Sequence, residues 1–365
     1  MGLQCGIIGI TNTGKTTIFN CISESKVETS NFAFSTNKSN LGQVKVPDPR
    51  LRKIDELINA ARVIPTSLEI VDIPGLTKGS SRGEGVGNSF LSDIRNCDAL
   101  IHVLRCFDDP NLPHIDASIN PVRDKETIDL ELQVKDMESV EKRIIKWEKL
   151  LKSGDKKAKS AIDSLNQIKE HLEGLQNLRS MPLSDSDKEL ISDMFLLTVK
   201  PVIYVCNVDE SSALAGNQYV ESVKSAVAGE DSEVLIIAGQ MEAEISELED
   251  EEDRRSFLAD IGLDEPGVNK LIRSAYHLLN LQTFFTAGPK EIRAWTIKKG
   301  MRAPEAAGVI HSDLQRGFIR AEVMKYPDFI KYGSEAACRD AGKLLIEGKN
   351  YVVEDGDILH IRFNV

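Results

Sequence analysis

Gly9-Ile10-Thr11-Asn12-Thr13-Gly14-Lys15-Thr16 directly follows the short apolar run Leu3-Gln4-Cys5-Gly6-Ile7-Ile8 and precedes Thr17-Ile18-Phe19-Asn20, which can open a helix. The stretch fits G-x-x-x-x-G-K-[ST] in a strand–loop–helix setting. Glycines let backbone N–H groups curl around phosphate oxygens, Lys15 neutralises charge on the β and γ phosphates, and the Thr16 hydroxyl ligates Mg²⁺. Asn12, Thr13, Gly14, Lys15, Thr16 and Thr17 are therefore the expected phosphate contacts.

Apolar runs like the first recur at 67–73, 99–104, 201–206 and 233–237, with helical patterns between several of them. Strands buried on both faces lose the in/out alternation of an exposed strand, so this texture predicts an α/β domain around a mostly parallel sheet. The second run ends in Asp72-Ile73-Pro74-Gly75. A carboxylate at that strand end holds Mg²⁺ through its coordination shell, and the Gly75 amide senses the γ-phosphate. The glycine-rich loop beyond, through Gly79, Gly83, Gly85 and Gly87, packs few side chains and suits a segment that orders and disorders at small cost.

The alternation stops after about residue 128. Met137, Val140, Ile144, Trp147 and Leu151 step by three and four, Ser153-Gly154-Asp155 breaks the pattern, and Ala161, Leu165, Ile168, Leu172 and Leu175 form a second seam. Two such helices predict an antiparallel hairpin inserted over 131–197, splitting a nucleotide domain into 1–130 and 198–280. Residues 242–255 carry many acids and read as a solvated helix face and loop. From Leu281, runs at 283–286, 294–297, 351–353 and 358–361 alternate with Gly and Pro turns, which predicts a small β domain over 281–365. That segment holds 13 Lys and Arg against 11 Asp and Glu, net +2, leaving −14 on the preceding 280 residues.

The whole chain of 365 residues carries a formal charge of −12 and is 41 % hydrophobic. An acidic chain argues against a wholly basic nucleic-acid coat and confines any such contact to a local face, here the stretch around Lys290, Arg293, Lys298, Lys299 and Arg302. Six scattered cysteines with no C-x-x-C pair read as free thiols in a reducing compartment. No apolar run approaches the roughly 18 residues of a membrane span, so the expectation is a cytoplasmic chain without membrane or DNA partners.

After the fourth run comes Asn207-Val208-Asp209-Glu210. Guanine readers carry Asn-Lys-x-Asp there, with the Asp accepting two hydrogens from the base edge. Here Val208 replaces the lysine and Glu210 the aspartate, so the guanine clamp is broken, unless Asp209 substitutes with a one-residue shift.

These segments, with Leu76-Thr77-Lys78-Gly79, Arg82 to Asn88, Phe284 to Glu291, Ala294-Trp295-Thr296, Ala306 to Asp313 and Asp355-Gly356-Asp357, resemble the YchF family, the Obg-like ATPases, over essentially the whole chain. The resemblance implies a Ras-like P-loop NTPase domain with a coiled-coil insertion and a C-terminal TGS domain of β-grasp fold. It also implies ATP preferred over GTP, with Asn207, Val208 and Glu210 at the base, and association with ribosomes. Many GTPases place a water-orienting glutamine where this chain has Leu76, and the resemblance instead points to His114 as the catalytic histidine on a loop. An exposed loop histidine without a role is the plain alternative. Asn12 stands at the position used for K⁺ in cation-activated relatives. Thr36 is the second Mg²⁺ ligand by position, although residues 31–37 match the family's first switch only partly, and Pro74 replaces a usual alanine. The expected activity is a Mg²⁺-dependent ATPase whose ATP and ADP states present different surfaces to the ribosome, through rRNA or a ribosomal protein, in translation or stress response. A GTPase of ribosome assembly and an RNA- or ribosome-binding module with incidental turnover are the alternatives.

Overall fold

The computed structural model describes residues 3–23, 39–75 and 87–364. Thr36, Leu76 and the glycine-rich loop through Gly85 lie outside the described residues. Twelve strands are present among those described: β1 (Gln4–Ile8), β2 (Asn40–Lys45), β3 (Val63–Ile64), β4 (Ser67–Asp72), β5 (Ala99–Arg105), β6 (Val202–Asn207), β7 (Glu233–Ile237), β8 (Leu281–Ala287), β9 (Ile292–Lys298), β10 (Phe318–Met324), β11 (Leu344–Glu347) and β12 (Ile358–Phe363). They form two six-stranded sheets, ordered β2-β4-β1-β5-β6-β7 and β11-β10-β12-β8-β9-β3.

In the first sheet β4, β1, β5, β6 and β7 pair in parallel. Every residue of β5 and β6 is buried, as continuous apolar runs require. Leu100, Leu104, Val202, Tyr204 and Cys206 pack with Ile128 and Leu132 of a long helix and with Val220 and Val223 of another. At a sheet of this order, ligands sit beyond the carboxyl ends of the strands, where β1 sends its connection to one side and β5 lies on the other. The six cysteines are thiols outside any disulfide, Cys21 half-buried and the rest buried.

The long helix runs from Pro121 to Lys152, with Asn120 accepting the Arg123 N–H as its cap and Pro121 at the first position. It thus begins ten residues before the expected insertion, and its first turns are fixed to the sheet. There the buried Lys125 ammonium lies 2.8 Å from both Asp129 and Glu230, and Tyr204 donates to Glu230 at 2.7 Å. Asp136 accepts from the Leu197 and Thr198 N–H groups and from the Thr198 hydroxyl, tying the helix to the chain leaving the insertion. After the turn at Gly154, helix Ala158–Glu173 returns, and Val140 packs with Leu165, Ile168 and Leu172. The two seams hold except at their ends, because Leu151 is 44 % and Leu175 65 % exposed.

Glu242 departs from the expected solvated acidic face. Its side chain is buried, and Oε1 accepts from the Gly267 N–H at 2.6 Å and also from Val268, so it caps the helix Gly267–Leu278. The Oε2 atom is buried without a partner, and burial pushes the carboxyl up to about 7.

Two compact units emerge: residues 1–43 with 69–271, and 44–68 with 272–365. The second therefore differs from the contiguous 281–365 domain read from sequence. Segment 44–68 belongs with it because β3 pairs in parallel with β9 and Leu51 and Ile54 pack on Phe285 and Ile292. Arg50, held by Asp48 and Asp355 at 2.8 and 2.6 Å, also lies over the Phe285 ring. β8 and β9 form an antiparallel pair, β12 joins β8 in parallel, and β10 runs antiparallel to both β12 and β11. Residues 351–353, expected as a strand, make one isolated bridge, Val352 to Arg302. No described helix is long and apolar enough to cross a membrane.

Candidate functional site

The loop between β1 and helix Lys15–Ile22 lies at the carboxyl edge of the first sheet. Gly14 has φ 88°, a left-handed conformation at the helix start, and a Cβ there would collide with the Asn207 amide. Thr13 is buried and its hydroxyl donates to the Ile10 carbonyl at 3.2 Å. The Lys15 ammonium donates to the same carbonyl at 2.8 Å. Burial pushes it down to about 8, against the pull of Asp72. A group so placed gains most of its charge stabilisation when an anion arrives.

Asp72 ends β4, its Oδ2 accepting from the Thr16 hydroxyl at 3.0 Å while Oδ1 is buried without a partner. Burial raises the carboxyl above the usual range, opposed by Lys15 and the Thr16 bond. A hydroxyl and a carboxylate with an orphaned buried oxygen form a hard-oxygen donor set that fits Mg²⁺. Gly75 lies against the loop: a Cβ on it would approach Lys15 Nζ at 3.1 Å and the Thr11 N at 3.2 Å. Lys15, Thr16, Asp72 and Gly75 thus converge, whereas Thr36 lies outside the described residues. The structure gives Thr17 no contact that bears on the site.

At the end of β6, Asn207 donates from Nδ2 to the Thr13 carbonyl at 2.9 Å and accepts at Oδ1 from the Gly239 N–H at 2.9 Å. Its amide thus holds the phosphate loop to the segment after β7, with one further Nδ2 hydrogen and one further Oδ1 lone pair not used by these two bonds. The Val208 side chain is buried in the core cluster of the first unit. Asp209 accepts from the Ser212 N–H at 3.0 Å, which caps the short helix Glu210–Ser212 and diverts the carboxylate proposed as a shifted guanine reader. Glu210 is exposed at the start of that helix.

The loop bearing His114 is closely held. Arg105, the buried last residue of β5, donates to the carbonyls of Phe107, Leu112 and Asp109 at 3.2, 2.9 and 3.3 Å, and its guanidinium lies over the Phe107 ring. Asn12 has φ 62° and donates from Nδ2 to the Pro113 carbonyl at 3.1 Å, so the phosphate loop touches the residue before His114. The imidazole is only 3 % exposed, which overturns the picture of an exposed loop histidine. Its Nδ1 accepts from the Asp116 N–H at 3.0 Å, so Nε2 carries the proton and donates to Asp124 Oδ2 at 2.9 Å. Asp124, in the first turn of the long helix, is 2 % exposed and also meets Arg123 at 3.1 Å. Arg123 lies 3.5 Å from Asp116 as well, so the acids around His114 already face a cation. Both imidazole nitrogens being occupied, no lone pair is free for water in this conformation.

Sequence reasoning missed Asp124, Arg105 and Gly239. Asp124 follows Asn120-Pro121, a helix-start signal three residues ahead of it. Arg105 closes an otherwise apolar run, which marks a charge at a strand end without saying what it binds. Gly239 gives no signal, since its part is a backbone N–H.

Residues 4–149 match a family model described as a 50S ribosome-binding GTPase, and residues 281–364 match the YchF GTPase C-terminal family, described as a protein of unknown function. A Bacillus subtilis protein named ribosome-binding ATPase YchF is 47 % identical, with 100 % of both chains covered. The protein of that name from Escherichia coli O157:H7 is 45 % identical, again over 100 % of both. The solved structure of the Schizosaccharomyces pombe YchF GTPase superposes with a TM-score of 0.87 at 35 % identity, covering 99 % of this chain and 98 % of that one.

Proposed function

The chain belongs to the YchF family, and we propose that it is a Mg²⁺-dependent ATPase that switches its surface between ATP and ADP states and acts on the ribosome, in translation or a stress response, within the cytoplasm. The observation that carries this reading is the meeting of Lys15, Thr16 and Asp72 under the phosphate loop, with one Asp72 oxygen left unpaired. The curated relatives' name supplies the ribosome as partner and ATP as substrate. The relatives are described both as ATPases and as a GTPase. The base-side residues favour ATP: Asn207 is a tether, Val208 is buried and Asp209 is a helix cap. Glu210 is left as the exposed group nearest in sequence for reading the base.

In this reading Lys15 exchanges the Ile10 carbonyl for phosphate oxygens. Thr16 and Asp72 would hold Mg²⁺, which would supply charge neutralisation at the β and γ phosphates, and Thr36 is the proposed further ligand. Gly75, whose backbone lies against Thr11 and Lys15, reports the γ-phosphate through its N–H. Leu76 has no group to orient water, so that role falls to His114, which first gives up Asp124 and turns a ring nitrogen toward the phosphate loop. Asn12, already bonded to the residue preceding His114, relays the state of the phosphate loop to the histidine. Its Oδ1 is the proposed K⁺ ligand.

Direct calorimetric titration with ATP, GTP, ADP and GDP in Mg²⁺ tests the assignment. ATP binding at least tenfold tighter than GTP is the expected result; equal or reversed affinities return the protein to the GTPases.

A further inference from the structure

The described surface holds one dense run of positive charge that the nucleotide site does not use. Residues 142–159, the end of the long helix, the turn and the start of the return helix, carry eight Lys and Arg against two acids, net +6 on a chain of −12. Arg143 is half-buried and bonded to Asp193 at 2.9 Å. The other seven, Lys142, Lys146, Lys149, Lys152, Lys156, Lys157 and Lys159, are all exposed. Among the described residues none of the seven has an ion pair, whereas lower on the same hairpin Lys169 lies 2.9 Å from Glu141 and Lys135 3.0 Å from Glu138.

Lys142, Lys146, Lys149 and Lys152 step by four, three and three, which places them along one helical face over about 15 Å, with successive ammonium groups roughly 5 Å apart along the axis. Like charges at these spacings repel and destabilise a helix. The two acids of the stretch, Glu148 and Asp155, leave it at net +6. Ile145, Leu150 and Leu151 are 53, 36 and 44 % exposed but interspersed among the lysines, so they form no continuous apolar face for a protein partner. A lysine stripe offers point charges without the bidentate geometry that arginine brings to base edges, and suits contacts to backbone phosphates. The basic stretch of the second unit is weaker by comparison: its Arg293 is laid over Trp295, 4.0 Å from the ring centroid, and the segment's net charge is only +2.

We infer that the hairpin tip is an RNA-docking surface that grips the phosphate backbone without reading sequence. On the ribosome reading above, its natural ligand is an rRNA helix, and the tip rather than the second unit supplies the electrostatic part of binding.

The test is the full-length protein with Lys149, Lys152, Lys156 and Lys157 all replaced by Gln, measured against a 20-base-pair RNA duplex by fluorescence anisotropy from 50 to 200 mM KCl and against purified bacterial ribosomes by co-sedimentation. Each lost phosphate contact flattens the plot of log affinity against log salt by about 0.7–0.9. The variant should therefore lose about 100-fold less affinity than the parent across that range, pellet weakly with ribosomes and hydrolyse ATP at the parental rate. The corresponding Lys→Arg variant should bind like the parent. Unchanged duplex affinity and salt slope overturn the inference, and so does loss of ribosome pelleting with duplex binding intact, which points to an acidic ribosomal protein instead. A parent that binds the duplex through the tip but never pellets with ribosomes contradicts the ribosome reading and leaves the tip assignment standing.

Discussion

Replacing Glu242 by Gln converts a buried, half-partnered carboxyl into a neutral group of the same shape. In the folded chain burial raises this carboxyl from its ordinary 4.5 to about 7, while Gly267 and Val268 N–H bonds to Oε1 limit the rise. Between those pH values the folded state keeps a proton that the unfolded state releases, so stability is greatest below 4.5 and falls as pH rises through about 7. At about 1.4 kcal/mol per pH unit, the native chain should lose roughly 2–3 kcal/mol of this contribution between pH 5 and pH 8. Gln has no such dependence. Its amide NH₂ costs something in the place of the unpartnered Oε2, but that cost is the same at both pH values and cancels when the difference is taken. The assay is urea unfolding of both proteins at pH 5 and pH 8, followed by the far-ultraviolet signal. Relative to the parent, Glu242→Gln should gain roughly 2–3 kcal/mol on going from pH 5 to pH 8. A difference that stays flat between the two pH values would refute the reasoning that burial without a second partner dominates this group.

Other consequences are equally direct. His114→Ala should slow single-turnover ATP hydrolysis by about 100-fold while leaving ATP affinity within a factor of two; unchanged hydrolysis removes the histidine from the reaction. Asp124→Asn replaces a charged acceptor with a neutral one, a loss of about 1 kcal/mol in the grip on the ring, and should raise basal turnover several-fold; lowered turnover would assign Asp124 to the active geometry instead of the resting one. Asn207→Ala strands the Thr13 carbonyl and Gly239 N–H, and should destabilise the first unit by about 2–4 kcal/mol and weaken ATP and GTP alike; a selective effect on one base would mean that Asn207 reads it. Turnover in KCl should exceed that in NaCl severalfold through Asn12, and equal rates dispose of the cation site.

The first sheet was legible because β1, β4, β5, β6 and β7 are short apolar runs that end at chemically marked residues, Gly9, Asp72 and Asn207 among them. Strand β2, with buried positions alternating with exposed ones in Asn-Leu-Gly-Gln-Val-Lys, gave too weak an apolar signal. β3 is two residues long and pairs with β9, more than two hundred residues away, a pairing that no local pattern encodes. In the site, the residues proposed to touch phosphate are specified by local spacing and are readable; those that position other residues are not. Val208 shows the difference, since its residue type excludes a guanine clamp but not its own burial. His114 shows it again: its partner Asp124 is ten residues on, across a proline-capped helix start, and only the folded geometry joins them. Glu242 misled in the opposite direction, because an acidic run reads as solvated even when one member turns inward to cap a helix.

The central claim is that the turn after β1 grips a nucleoside triphosphate through the Lys15 ammonium. The most direct measurement is calorimetric titration of ATP in Mg²⁺ into the parent and into Lys15→Ala, with folding of each verified by its unfolding curve. An equally folded variant whose ATP affinity drops about 100-fold or more, a loss of roughly 3 kcal/mol, is the expected result; an equally folded variant that binds and hydrolyses ATP like the parent contradicts the account.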